Sequence, residues 1–226
     1  MNDGAKIKPA LAYHALTPFY DRVVASTTRE RTFKRALLEQ AALQAGHHVL
    51  DVGCGTGTLA IAACLRAPGI EVSALDADPA ILAIATGKAR HAGVAVSFDL
   101  GRSTALPYAA ESFDRVLSSL FFHHLRADDK VATAKEMHRV LRAGGELHVA
   151  DWGRAGGPVS RAAFLAIQLL DGFETTRDNV AGHLPFLFES AGFRAVEETR
   201  RITTVFGVVS LYRAVKGATT SAPFSA

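Results

Sequence analysis

The run Val49-Leu50-Asp51-Val52-Gly53-Cys54-Gly55-Thr56-Gly57 joins a buried-strand pattern to three glycines at alternate positions. It predicts a strand ending in a ligand-binding turn, because glycine lets backbone come close to a ligand and tolerates positive φ. Residues 58–67 then read as a helix, whose first N–H groups lack intrahelical partners and would face whatever lies over the glycines. Such a place suits a carboxylate or a phosphate. The dinucleotide pattern G-x-G-x-x-G is not met, since its third position is Thr58 and the glycine falls one residue early, at Gly57. A second strand, Val72-Ser73-Ala74-Leu75-Asp76, ends in an acid placed to accept a pair of ribose hydroxyls. Behind it Asp78 is a candidate N-cap and Pro79 a first helical residue. Two adjacent histidines, His123 and His124, follow Ser118-Ser119-Leu120-Phe121-Phe122, and imidazole is the side chain best suited to moving protons near neutral pH.

Those residues need a frame that brings them together. From residue 47 onward strands and helices alternate, with strands expected at 47–53, 71–76, 94–99, 115–120 and 145–151. Helices are expected at 58–67, 79–91 and 128–142, the last ending at Gly144-Gly145. This order predicts a parallel sheet with right-handed crossovers and helices on both faces. Ligands of such sheets bind outside the carboxyl ends of the strands, so Gly53, Asp76, Asp99, Leu120 and Asp151 should rim one crevice. Along the fifth strand, alternation sets His148 and Trp152 opposite Val149 and Asp151, which leaves Asp151 on the crevice side. Two further strands, near 195–201 and 205–214, are expected after a short turn.

Two segments lie outside that core. Residues 9–44 open with aromatics around Tyr13, His14, Phe19 and Tyr20 and continue as an amphipathic helix near 29–43. Residues 158–190 hold a second candidate lid, in which 162–170 is apolar on nearly every side and must be buried or meet an apolar partner. The tail 217–226 is small, polar and expected to be disordered.

Bulk properties narrow the function. At 226 residues and 49% hydrophobic the chain can bury one substantial core. A net charge of +3, from 25 basic against 22 acidic residues, is no basic stripe, so nucleic acid is not expected as a partner. Cys54 and Cys64 form neither a metal pattern nor a disulfide framework, which agrees with a cytoplasmic location. Neither a signal peptide nor a membrane span is indicated.

The spelling D-x-G-x-G-x-G over Asp51 to Gly57, with Asp76 at the end of the second strand, resembles the first two landmarks of the class I S-adenosylmethionine-dependent methyltransferases. Leu106-Pro107-Tyr108 with Glu111-Ser112-Phe113-Asp114-Arg115-Val116 is similar to that family's "LPF…SFDxV" stretch, and Arg139-Val140-Leu141-Arg142-Ala143-Gly144-Gly145 to its "RVLKPGG". The match runs over residues 46–152, and the Tyr20-Asp21 pair resembles the opening of ubiquinone/menaquinone C-methyltransferase-like members. The resemblance implies a Rossmann-like, doubly wound α/β sheet of seven strands, mostly parallel with an antiparallel edge. It also implies an N-terminal helical lid (1–45), a methyltransferase domain (46–216) and a helical insertion (156–182) before the last two strands. S-adenosylmethionine is the implied cofactor, S-adenosylhomocysteine the product, and no metal is required. The implied cofactor contacts are Tyr20, Asp51, Gly53, Gly55, Gly57, Asp76, Ala77, Arg102, Ser103 and Ser118. One departure stands out: Arg102 replaces the acid that many members use to accept the adenine amino group, and arginine has no acceptor. The adenine would then be held by the Ser103 hydroxyl, by backbone or by Arg102 stacking on the ring.

Methyl transfer from a sulfonium is an in-line displacement at carbon, so alignment and desolvation dominate, and a base is needed only when the acceptor arrives protonated. His123 and His124 are the candidate bases. A small or lipid-like, apolar or aromatic acceptor is expected. The alternatives are a non-catalytic S-adenosylmethionine-binding partner or sensor subunit and an NAD-dependent oxidoreductase, the last disfavoured by the glycine spacing. Phenylalanine-rich segments leave a homodimer open.

Overall fold

The computed structural model describes residues 29–217, apart from 155, 158–160, 162, 163, 166, 167 and 169–171. The expectations for Tyr20 and its aromatic neighbours, and for the tail beyond residue 217, lie outside the described residues.

Helix α1 (Glu30–Ala41) buries Phe33, Ala36, Leu37, Leu38 and Ala41, an apolar stripe at helical spacing. Strand β1 (His48–Val52) leads through the glycine turn into α2 (Thr58–Arg66), and β2 (Glu71–Asp76) into α3 (Pro79–Ala92). The Asp78 carboxylate caps α3 by accepting from the Ala80 and Ile81 amides, with Pro79 in the first turn. Then come β3 (Ser97–Leu100), β4 (Phe113–Ser119), a single 3-10 turn (Phe122–His124), α4 (Ala127–Val140) and β5 (Leu141–Trp152). Helices α5 (Phe173–Ala181) and α6 (Leu184–Ser190) precede β6 (Arg194–Thr204) and β7 (Gly207–Val215).

The seven strands form one sheet in the order β3-β2-β1-β4-β5-β7-β6. The first five run parallel, while β7 pairs antiparallel with both β5 and β6. The direction of travel reverses between β1 and β4, and there loops open apart to leave a crevice. One face of the sheet is covered by apolar side chains of α1, α2 and α3, and the other by α4 and α6. His148, Ala150 and Trp152 lie on the α1 side, with His148 Nδ1 3.0 Å from Gln40 Nε2, and Val149 lies on the opposite side, as strand alternation predicts.

Two sequence expectations shift. The fourth helix ends at Val140 rather than near 142, because Leu141 is already extended and pairs with Phe113 at the start of β5. The paired glycines therefore fall inside the β5 segment, where Gly144 donates its N–H to the Lys216 carbonyl. Residues 184–190 are core rather than cover, since Leu184 and Phe188 are fully buried, with the Phe188 ring meeting Phe122, Phe193 and Tyr212 edge-on.

Candidate active site at the strand ends

The glycine turn is hung on the end of β2: the Gly53 and Cys54 amides both donate to the Leu75 carbonyl, at 2.9 and 3.0 Å. Gly53, Gly55 and Gly57 all have positive φ, at 70°, 52° and 73°. Their surroundings differ. A Cβ on Gly53 would lie 2.2 Å from the Phe121 ring and one on Gly57 3.1 Å from Ala85 and Phe98, whereas nothing lies within 4 Å of one on Gly55. The turn is thus closed at both ends and open over Gly55, where a ligand can approach backbone.

Asp76 stands beside that opening. Its Oδ2 accepts the Gly55 amide at 2.9 Å and its Oδ1 the Asp78 amide at 3.1 Å. Each carboxylate oxygen has a second acceptor position, so these bonds fix the side chain without exhausting it. Ala77, next in the chain, is exposed. Asp51 lies one layer deeper, fully buried. Burial pushes its pKa up to about 7, opposed by Lys34 and by the Ala60 amide near the start of α2.

The remaining expected contacts are placed as follows. Arg102 is exposed, in a small bridge with Ala105. Ser103 is buried, its Oγ 2.8 Å from Thr133 Oγ1 on α4. Ser118 is also buried and donates its hydroxyl to the Val52 carbonyl at 2.9 Å, tying the ends of β1 and β4 together. At the rim, Tyr108 donates to Asp99 Oδ2 at 2.9 Å, a partner for Asp99 that the spacing of residues did not signal.

The histidine turn is built around Asp151, at the end of β5 and fully buried. Its Oδ2 accepts the Phe121 and Phe122 amides at 2.9 and 2.7 Å. Its Oδ1 lies 2.8 Å from His123 Nδ1, 2.7 Å from the Trp152 amide and 3.0 Å from Asn179 Nδ2. Burial alone would raise this carboxyl's pKa, but His123 and the amide donors outweigh it and hold the pKa below its ordinary value. An ionised carboxylate only accepts, so His123 Nδ1 carries the proton of that bond. His123 is buried, whereas His124 reaches the surface with its ring 4.0 Å from that of His123. Leu120, just before the turn, adopts a left-handed backbone (φ 50°), a conformation costly for a leucine, and Phe121 follows it onto Gly53. Through that ring the histidine turn and the glycine turn touch.

Asn179 and Lys130 belong to none of the sequence motifs. Lys130 is the residue with a readable signal: it occupies a position on the buried stripe Lys130, Thr133, Ala134, Met137, Val140 of α4, where an apolar side chain is the rule. For Asn179, a polar residue in a polar helix, no local signal exists.

Residues 49–145, spanning the glycine turn through the start of β5, match the family described as "Methyltransferase domain". The methyltransferase GfsG of Streptomyces halstedii is 36% identical over 166 residues, covering 72% of this chain and 58% of its own length. Demethylmenaquinone methyltransferase of Deinococcus radiodurans is 34% identical over 137 residues, covering 60% and 56%. The chain thus spans less than two thirds of the length of these relatives. Among solved structures, YcgJ of Bacillus subtilis superposes with a TM-score of 0.68 at 18% identity, over 81% of this chain and 97% of that one, which establishes the shared fold. A methyltransferase domain therefore spans residues 49–145, from the glycine turn to the start of β5, in agreement with the sequence's resemblance to the class I S-adenosylmethionine-dependent methyltransferases.

Proposed function

We propose that this protein transfers a methyl group from S-adenosylmethionine to a small or lipid-like acceptor with an apolar or aromatic body. The observation that carries the proposal is the contact of two turns: the glycine turn with Asp76, and the His123 turn held by Asp151, meeting through Phe121 at the ends of adjacent strands β1 and β4. Gly55 and Asp76 suit the cofactor because the turn offers open backbone beside a carboxylate able to accept ribose hydroxyls. Ala77, Arg102 and Ser103 are assigned to the adenosine end, and the bond from Ser118 to the Val52 carbonyl supports the turn from beneath. When bound, the cofactor supplies an electrophilic methyl group on a sulfonium.

His123 is assigned the proton chemistry. A phenol, thiol or activated ring carbon must lose a proton, and the His123 Nε2 lone pair can take it while Nδ1–H stays bonded to Asp151. The imidazolium so formed is stabilised by a carboxylate that four other donors already hold in place. The aromatic surroundings of the turn, Phe121, Phe122 and Trp152, and the relatedness to a demethylmenaquinone methyltransferase support an apolar, ring-bearing acceptor.

Isothermal calorimetry with S-adenosylmethionine, S-adenosylhomocysteine and NAD tests the cofactor. Saturable binding of the first two alone is expected, followed by methyl transfer to quinols or phenols in an acceptor screen; binding of NAD alone would overturn the proposal. Asp76→Ala should weaken binding of both adenosyl ligands by about 1 to 3 kcal/mol through lost charge-assisted hydrogen bonds. Unchanged affinity would remove Asp76 from the site.

A further inference from the structure

A chain of buried polar side chains runs from α4 to the candidate base. Lys130 is fully buried, and its ammonium donates to the Thr175 carbonyl at 2.7 Å, to Asp178 Oδ2 at 3.1 Å and to Asn179 Oδ1 at 3.1 Å. Its three donors meet three acceptors on α5. Because an ammonium cannot accept, the Asn179 amide must turn its oxygen to Lys130 and its nitrogen away. Its N–H groups then reach Asp151 Oδ1 at 3.0 Å and the Trp152 carbonyl at 3.1 Å. That Asp151 oxygen is the one bonded to His123 Nδ1.

We propose that Lys130 and Asn179 are positioning residues that set the tautomer and basicity of His123 through Asp151. The physical basis is competition for one oxygen. Every N–H that Asp151 Oδ1 accepts from Asn179 spreads its negative charge away from the imidazole, and the Lys130 ammonium beyond withdraws more. The His123 imidazolium is stabilised less than it would be beside an unshared carboxylate, while the Nδ1–H bond leaves Nε2 as the nitrogen that exchanges a proton. The significance for methyl transfer rests on the function proposed above; the electrostatic coupling does not. Around His123 the charged and titratable groups of the described residues are Asp151 from β5, His124 on its own turn, Lys130 from α4 and Asp178 from α5, with the Arg126–Glu174 pair (3.2 Å) at the surface.

The coupling is read without any ligand, by titrating the full chain labelled with 15N-histidine and following the ring nitrogens of His123, assigned with His123→Gln. In the wild type the protonated-Nδ1 tautomer is expected. Asn179→Leu, which removes the donor, should raise the His123 pKa by about 1 to 2 units, the size of one hydrogen bond to a charged group. Lys130→Met, close in length and shape, should shift it in the same direction. Asn179→Asp keeps the volume and adds a carboxylate near Asp151, so it should raise the pKa at least as far even where the leucine variant folds poorly. A His123 pKa and tautomer unchanged across the folded variants would overturn the proposal. Calorimetry with S-adenosylmethionine on the same samples separates the two ideas: lost cofactor binding in the wild type would strike the proposed function, whereas an unmoved histidine in a cofactor-binding protein would strike the relay alone.

Discussion

At the scale of single residues, the three glycines of the turn serve different ends. All three require positive φ, yet only Gly53 also makes room for a ring, because a Cβ there would sit 2.2 Å from Phe121. Gly55 faces open space. Alanine at Gly55 should therefore cost only the left-handed backbone penalty, about 1 to 2 kcal/mol. Alanine at Gly53 adds a collision with a ring pinned behind the Leu120 kink, and its cost should reach about 2 to 5 kcal/mol. Urea unfolding of the two variants checks this order. Equal losses would mean that Phe121 swings away freely. Gly55→Val should abolish S-adenosylmethionine binding by filling the open face of the turn, and calorimetry on that variant would show wild-type affinity if the face were not used.

At the scale of elements, the boundary between core and cover runs through the segment between β5 and β6. Helix α6 is seven residues long and carries a proline in its first turn, yet Leu184 and Phe188 are fully buried beneath α4. Phe188→Ala should destabilise the whole domain by about 3 to 5 kcal/mol, read by denaturant unfolding, as expected for a large ring removed from a close-packed core. A loss under about 0.5 kcal/mol would make α6 a detachable cover. The contrast explains what could be read from sequence. The β1 turn, the Asp78 cap and the alternation along β5 are local patterns, and local patterns survive folding. Sequence alone groups helix α6 with a lid, because its apolar residues identify burial without identifying the partner. The meeting of Lys130, Asn179 and Asp151 joins three elements, so only the tertiary structure brings it into view. The end of α4 was misplaced for a related reason: Gly144-Gly145 is a sound stop signal, but pairing of Leu141 with Phe113 captured the chain four residues before Gly145.

At the scale of the whole molecule, the carboxyl of Asp51 links stability to pH. It is fully buried beneath the start of α2, and burial lifts its pKa from 3.8 to about 7. Between those values the folded chain holds a proton that the unfolded chain has released. Unfolding then gives up a proton, so stability falls as pH rises through this window and levels off above it. At about 1.4 kcal/mol per pKa unit, the penalty above pH 7 is on the order of 4 kcal/mol. Asp51→Asn removes the ionisation and leaves every other titrating group in place, so those groups cancel when the two proteins are compared at each pH. The stability of the asparagine variant relative to wild type should rise steadily from pH 4 to pH 7 and stay level to pH 9, measured by urea unfolding at each pH. A difference that does not change with pH would show that the carboxyl ionises in the folded chain as it does in water. A difference rising with pH means that the acid opening the glycine turn is uncharged in much of the folded population at neutral pH.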